Sequence, residues 1–247
     1  MKLQWKTPPG TVHGLYKLIL DQPHALIAGA TGSGKSVAIN GIIYTALYQP
    51  PQDLQLVLID PKRVELVKYS KLPHCIAYAS EPADIVRTLR KCVDLMERRY
   101  KAMQARGMVK SAKPETYIII DEFADLMTTN KRETLPMLCR LAQLGRAANI
   151  HLILATQRPT RDIVNGQIKV NLDCRLALRC PSARDSVNIL DRKGAELLPR
   201  YGQGIISTPA AYGLVDIPYI QPTELVARVQ WWTAQTPHLY KFIKPTL

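Results

Sequence analysis

The stretch Gly29-Ala30-Thr31-Gly32-Ser33-Gly34-Lys35-Ser36 decides how this chain folds. It follows an apolar run and precedes a helix-like run, so it fits the pattern G-x-x-x-x-G-K-[ST] between a strand and a helix. The glycines let successive backbone N–H groups face one anion, and the start of the next helix adds partial positive charge. In this pattern Lys35 reaches the β- and γ-phosphates of ATP, and the Ser36 hydroxyl binds Mg²⁺. An ordinary glycine turn is the alternative, which the flanking strand and helix disfavour.

The segments around this loop alternate between short apolar runs and amphipathic runs. Strands are predicted at residues 25–28, 54–59, 117–122, 151–156, 175–178, 204–207 and 212–216, and helices at 35–47, 82–103, 131–144 and 222–235, with a short helix ending near 170. Strands separated by helices are typical of a parallel sheet with right-handed crossovers. We therefore expect an α/β fold with a mostly parallel central sheet flanked by helices.

The chain is predicted to have one main domain with a short segment at each end. A proline-rich lead-in covers residues 1–22 and has room for one short strand, the main domain covers 23–220, and a helix and tail cover 221–247. The chain has 247 residues, which is enough for one large core.

The composition favours a polyanionic partner. There are 33 Lys and Arg residues against 20 Asp and Glu residues, a net charge of +13, which suits nucleic acid but also occurs on basic surfaces that are merely solvated. The five cysteines form no CxxC pair and indicate reduced core thiols rather than a metal site. No apolar run is long enough to span a membrane, so we expect a cytoplasmic protein that does not insert into membranes.

Acidic and amide residues follow the predicted strands at the edge where parallel α/β sheets bind ligands. Asp121 and Glu122 end one strand, where Asp121 would hold Mg²⁺ and Glu122 would orient and deprotonate the attacking water. Gln157 ends the next strand, where its amide would sense the γ-phosphate. A helix cap for the two acids and a turn role for Gln157 are the alternatives.

Arg146 is the one charged residue in an otherwise small and apolar stretch, Leu144 to Ala148. A guanidinium there would stabilise transition-state charge in the site of a neighbouring subunit, as arginine fingers do. A solvated or salt-bridged arginine is the alternative.

Together these residues resemble the FtsK/SpoIIIE family of DNA translocases. The matching blocks run in order from about residue 20 to residue 206 and are far more specific than the phosphate loop alone. They are Pro23-His24, Ala28 to Ser36, Ile59-Asp60-Pro61-Lys62, Met96 to Tyr100, Asp121 to Met127, Gly145 to Ala148, Ile150 to Thr160, Ile168 to Asn171, Ile189-Leu190-Asp191 and Gly194-Ala195-Glu196.

The resemblance implies a RecA-like P-loop NTPase that works as a hexameric ring around duplex DNA and couples ATP hydrolysis to translocation. It assigns the phosphate loop to the nucleotide, Ser36 and Asp121 to Mg²⁺, Glu122 to the attacking water and Gln157 to γ-phosphate sensing. It also raises Arg146 to a finger that acts in trans, with Arg98 or Arg99 as the alternative.

The resemblance further implies basic loops that line a pore. Arg158 and Lys169 stand where family members carry pore-lining basic residues, and Arg161 lies on the same loop as Arg158. Family members usually carry another basic residue where Ala183 stands here, so Arg184 is the nearest substitute. Residues 140–200 hold eleven Lys and Arg against five Asp and Glu, which suits phosphate contacts, and their scarcity of aromatics favours duplex over single strands.

The resemblance covers the motor alone. The membrane-spanning part, most of the subdomain ahead of the motor and the winged-helix module of the family do not appear, so we expect a stand-alone motor from a mobile element, prophage or virus. Two other functions are considered: a conjugation or secretion coupling ATPase that moves protein or nucleoprotein, and a DNA-bound scaffold that binds nucleotide without hydrolysing it.

Overall fold

The computed structural model describes residues 14–111, 114–164 and 166–235. The strands in this part of the chain are β1 (His24–Ala28), β2 (Leu54–Ile59), β3 (Cys75–Ala79), β4 (Glu115–Ile120), β5 (Ile150–Thr156), β6 (Cys174–Ala177), β7 (Gln203–Ser207) and β8 (Tyr212–Asp216). The helices are α1 (Gly14–Leu20), α2 (Lys35–Ala46), α3 (Pro82–Ala105), α4 (Phe123–Thr129), α5 (Lys131–Leu144), α6 (Gly166–Lys169), α7 (Ala183–Leu190) and α8 (Pro222–Gln235).

The eight described strands form one sheet in the order β3-β2-β4-β5-β1-β6-β7-β8. Strands β1 to β6 are parallel, whereas β7 and β8 are antiparallel additions at one edge. Every residue of β1 and of β5 is buried, as expected for central strands covered on both faces. The predicted α/β fold with a mostly parallel sheet flanked by helices is therefore confirmed.

Two apolar cores lie on the two faces of the sheet. One is lined mainly by α3, α4, α5 and α7, and includes Leu89, Phe123 and Leu138. The other is lined by α1, α2 and α8, and includes Tyr16 and Ile42. The indole N–H of Trp232 on α8 donates to the backbone oxygen of Leu47 at 2.8 Å, which ties α8 to the end of α2.

The strand register brings the carboxyl ends of the parallel strands to one edge of the sheet. Ala28 pairs with Thr156 on one side and with Ala177 on the other, and Ile120 pairs with both Ile59 and Leu154. Because parallel strands present their carboxyl ends together, the loops after β1, β2, β4, β5 and β6 meet there.

The structure corrects several element predictions. In the described part of the predicted lead-in, residues 14–20 form the helix α1 rather than a strand, and this helix is buried against α2 because four of its seven residues are apolar and face the core. Strand β3 and helices α4 and α7 were not predicted, since each has only five to eight residues. The strand predicted at 117–122 ends at Ile120, so both acids lie just beyond it.

The domain limits at residues 22 and 220 stay predictions. Residues 1–13 of the predicted lead-in and residues 236–247 of the predicted tail lie outside the described residues.

The contact between α1 and α2 depends on a residue without a side chain. A Cβ at Gly41 would overlap the ring of Tyr16, which is fully buried and donates its hydroxyl to the backbone oxygen of Pro218. We expect Gly41→Ala to lower the free energy of unfolding by about 2 kcal/mol through overpacking, despite the better helix propensity of alanine. Urea unfolding measures the change.

Gly166 is the matched control for this substitution. Its backbone is not in the left-handed region and nothing lies within 4 Å of a Cβ there. We expect Gly166→Ala to leave the stability unchanged or slightly raised, and equal effects of the two variants would contradict the packing argument.

Candidate nucleotide site and nucleic-acid interface

The phosphate loop takes the conformation that its glycines permit. Gly32 and Gly34 have φ angles of +73° and +100°, in the left-handed region that favours glycine. A Cβ at Gly29 would lie 2.5 Å from Ser33 Oγ, so this position also has no room for a side chain. The loop is joined to the end of β5 because the N–H of Gly29 donates to Thr156 O, at 3.3 Å.

Lys35 joins this loop to the end of β4. Its Nζ donates to Asp121 Oδ1 at 2.5 Å and to the Asp121 backbone oxygen at 2.6 Å, and both residues are at most 4% exposed. Burial raises the pKa of Asp121. The positive charge of Lys35 opposes this rise, whereas the carboxylates of Glu65 and Asp60 add to it. The structure thus brings together two residues that lie 86 positions apart in the sequence.

Glu122 is held by groups from two other segments. One carboxylate oxygen accepts from Thr156 Oγ1 at 2.7 Å, the backbone N–H of Gln157 donates to the carboxylate at 3.2 Å, and Lys62 Nζ lies 3.3 Å from its other oxygen. The side chain is almost fully buried. Its orientation is therefore fixed at the carboxyl edge, beside the strand that carries Gln157.

Gln157 reaches across to the phosphate loop. Its Oε1 accepts a hydrogen bond from Thr31 Oγ1 at 2.8 Å. A side chain that already touches the loop is well placed to respond to a phosphate bound there.

Two acidic residues that sequence analysis left without a role also lie in this site. Ser36 Oγ donates to Glu65 Oε1 at 2.6 Å, and Asp60 is fully buried with Oδ2 accepting from the N–H of Leu66 at 2.9 Å. The other oxygen of Asp60 has no hydrogen-bond partner among the described residues. The sequence could have indicated Asp60 as a site residue, because it directly follows an apolar strand, as Asp121 does.

The oxygen atoms of the site suit a hard cation such as Mg²⁺. Ser36, Asp121 and Asp60 offer hydroxyl and carboxylate oxygens, which Mg²⁺ prefers. In the described part of the chain no three His, Cys, Asp or Glu side chains are grouped as a metal site. Magnesium in nucleotide sites usually takes several ligands from substrate phosphates and water.

Arg146 lies at the opposite edge of the sheet from the phosphate loop. It is exposed in the turn between α5 and β5, where the parallel strands begin. Its side chain has no hydrogen bond or ion pair with any described residue. It cannot reach the nucleotide site of its own chain, because the length of the strands separates the two edges.

The two alternative finger residues differ in their environment. The Arg99 guanidinium donates to the backbone oxygens of Ala148 and Asn149 and to Thr116 Oγ1, at 2.8 to 2.9 Å. Burial lowers its pKa to about 10. The Arg99 side chain is thus occupied by hydrogen bonds within its own chain, whereas the Arg98 side chain is exposed.

The four residues predicted to contact DNA fall into two groups. Arg158 and Arg161 are exposed on the segment after β5, and Arg184 is exposed in the first turn of α7. Lys169 is only 14% exposed and its Nζ lies 2.7 Å from Asp191 Oδ1, an acid that Arg175 also contacts at 2.6 Å. Three of the four side chains are therefore free to meet a polyanion, and the fourth is already paired.

The chain matches the model of the FtsK/SpoIIIE family over residues 11–118 and 108–161. It is 41% identical over 230 residues to the DNA translocase FtsK of Helicobacter pylori strain 26695, covering 86% of this chain and 27% of that protein. It is 42% identical over 197 residues to the DNA translocase FtsK of Oceanobacillus iheyensis, covering 71% of this chain and 25% of that protein. The chain thus spans about a quarter of the length of these relatives.

Solved structures share the fold. The conjugation coupling protein TcpA of pCW3 aligns with a TM-score of 0.76 at 24% identity, over 86% of this chain and 66% of that one. The cytoplasmic domain of the type VII secretion ATPase EccC of Thermomonospora curvata aligns with a TM-score of 0.78 at 23% identity, over 91% of this chain and 29% of that one.

These comparisons show the family: the chain belongs to the FtsK/SpoIIIE family, as its motifs indicated. Among the described residues no helix is both long and apolar enough to cross a membrane.

The buried pair of Lys35 and Asp121 generates a prediction for stability. We expect Asp121→Ala to lower the free energy of unfolding by about 3 kcal/mol, because it leaves a buried ammonium group without its counter-charge. Lys35→Met should cost less, since Asp121, whose pKa burial already raises, can take up a proton. Urea unfolding at pH 7 without nucleotide measures both variants.

The exposed pair of Lys17 and Asp21 provides the control. Both side chains are about half exposed, so Asp21→Ala should change the stability by less than about 0.5 kcal/mol. A loss at Asp121 no larger than the loss at Asp21 would show that the buried pair does not hold the loop to the sheet.

Proposed function

We propose that this chain is the motor of an ATP-driven double-stranded DNA translocase. The observation that carries the proposal is the direct contact of Lys35 with Asp121, which joins a phosphate loop to the acidic end of β4. Relatives that share about 40% of their residues with this chain are named DNA translocases. ATP hydrolysis by the assembled site would drive the movement.

Each residue of the site has a role in this proposal. Residues 29–36 bind the nucleotide phosphates, and Ser36 and Asp121 would hold Mg²⁺, which neutralises phosphate charge when bound. Glu122 orients the attacking water and takes its proton, because its carboxylate is fixed by Thr156 and Gln157. Gln157 senses the γ-phosphate from its position beside Thr31.

The position of Arg146 supports hydrolysis between subunits of a ring. An exposed arginine at the amino edge cannot serve its own site, so it would complete the site of a neighbouring copy. We take this ring to be a homohexamer, as the family resemblance implies. Arg98 remains the alternative finger, since its side chain is exposed whereas that of Arg99 is bound within the chain.

The basic residues after β5 and β6 would face the DNA in the centre of the ring. Arg158, Arg161 and Arg184 are exposed and would contact backbone phosphates, which carry no sequence information. Lys169 would contact DNA only after leaving Asp191. The proposal places the motor in the cytoplasm, where it would act on duplex DNA. An origin in a mobile element, prophage or virus stays a prediction.

The primary test is ATP hydrolysis with and without long linear duplex, together with displacement of a triplex-forming strand. We expect strong stimulation by duplex in the unaltered chain. Lys35→Ala and Glu122→Gln should each lower the hydrolysis rate by at least about a hundredfold, because they remove a phosphate contact and the general base. Released phosphate measures the rate.

The outcomes separate the proposed function from its two alternatives. Hydrolysis that ignores DNA would favour a conjugation or secretion coupling ATPase, and nucleotide binding without hydrolysis would favour a scaffold. Gln235→Ala, at the exposed end of α8, is a control expected to leave the rate unchanged.

A second test measures how duplex affinity depends on salt. Each phosphate contact contributes about 0.9 to the slope of log K against log salt concentration, so Arg158→Ala should lower the slope by about one regardless of DNA sequence. Lys169→Ala should lower it by less, because this side chain is paired with Asp191.

Lys101→Ala is the charge-matched control for the salt series. Lys101 is exposed near the end of α3, away from the carboxyl edge, so its removal should leave the slope unchanged. Equal changes for Arg158 and Lys101 would mean that DNA is not bound at the carboxyl edge.

A further inference from the structure

Arg200 lies against the phosphate loop, although nothing in the motif pattern marks it. Its Nη2 is 3.5 Å, and its Nε 3.9 Å, from the point where a Cβ on Gly32 would lie. Gly32 is in the left-handed region at the middle of the loop. The guanidinium therefore lies beside the loop, within van der Waals distance of the point where a side chain at Gly32 would begin.

The sheet topology explains how a distant residue reaches this place. Strand β7 pairs antiparallel with β6, with Ile205 opposite Ala177, so β7 begins at the edge where β6 ends. Arg200 precedes β7 by three residues, and the turn between them is fixed because the N–H of Ile217 donates to Gly202 O at 2.9 Å. The antiparallel strand thus returns the chain to the phosphate loop.

The surroundings of Arg200 leave its charge available. The guanidinium carbon lies 5.2 Å from the centre of the Tyr201 ring, a cation–π contact that restricts its orientation. Both residues are exposed, and no described carboxylate lies within ion-pair distance of Arg200. An oriented guanidinium without an acidic partner lies beside a loop whose N–H groups attract anions.

Arg200 and Gln157 flank the loop from opposite sides. In the sheet, β5 and β6 are the two neighbours of β1, so Gln157 approaches from the β5 side and Arg200 from the side of β6 and β7. An amide and a guanidinium on the two sides of one phosphate loop would enclose the phosphate chain of a bound nucleotide.

We infer that Arg200 is a nucleotide-binding residue whose guanidinium contacts the polyphosphate of ATP or ADP in the same subunit. The inference rests on the nucleotide site of the proposed function and adds a contact from outside the phosphate-loop motif. The planar fork of arginine suits the oxygens of a phosphate group better than the single ammonium of lysine does.

The test measures the affinity of fluorescent mant-ATP and mant-ADP for the full chain at fixed salt. Arg200→Ala should raise the dissociation constant for both nucleotides by about tenfold, as expected for the loss of one charge-assisted hydrogen bond. Arg200→Lys should recover part of the affinity. Arg192→Ala is the matched control: Arg192 stacks on Tyr212 at 4.9 Å in the same manner, and its loss should change neither constant.

A second measurement separates a phosphate contact from a structural role. Thermal unfolding without nucleotide should be unchanged in Arg200→Ala, whereas the rise in Tm produced by ADP should shrink. A fall in Tm without nucleotide and an unchanged rise with ADP would overturn the inference, as would dissociation constants within twofold of those of the unaltered chain.

Lys35→Ala tells a failure of this inference apart from a failure of the proposed function. If Lys35→Ala loses nucleotide binding and Arg200→Ala does not, the inference is wrong and the nucleotide site stands. If Lys35→Ala binds mant-ATP as the unaltered chain does, the site itself is wrongly assigned and the inference falls with it.

Discussion

The ion pair between Lys35 and Asp121 is the contact on which the rest of the site depends. Both groups are buried, so each charge needs the other to offset the cost of leaving water. The pair forms only because β1 and β4 end at the same edge, separated in the sheet by β5 alone. It thereby fixes the phosphate loop relative to Glu122, the residue that follows Asp121.

Carboxylates surround the loop more densely than its motif suggests. Glu65 accepts from the Ser36 hydroxyl, Asp121 accepts from Lys35, and Asp60 contributes a buried oxygen with no partner among the described residues. A nucleotide with its magnesium ion would compete for the Ser36 and Lys35 groups. Glu65, the partner of Ser36, lies on the segment that follows β2 at the same edge.

In the proposed function, the two edges of the sheet would carry complementary parts of one reaction. The carboxyl edge holds the phosphate loop, the acids and the exposed arginines Arg158 and Arg184, whereas the amino edge holds Arg146. In a ring, the amino edge of one copy would meet the nucleotide of the next. In that proposal, changes at the nucleotide would pass through Gln157 to the adjacent Arg158, which is exposed.

The sequence by itself determined the parallel α/β sheet, the phosphate loop and the acids that follow β4, because these depend on local patterns: glycine spacing, apolar runs buried on both faces, and charge at strand ends. It missed β3, α4 and α7, which are short segments of five to eight residues. Only the tertiary structure decided that Lys169 is paired with Asp191, that Arg99 is bound within the chain, and that Glu65 and Arg200 lie at the phosphate loop. These contacts join segments far apart in sequence, and their partners are set by strand order and register, which no local pattern encodes.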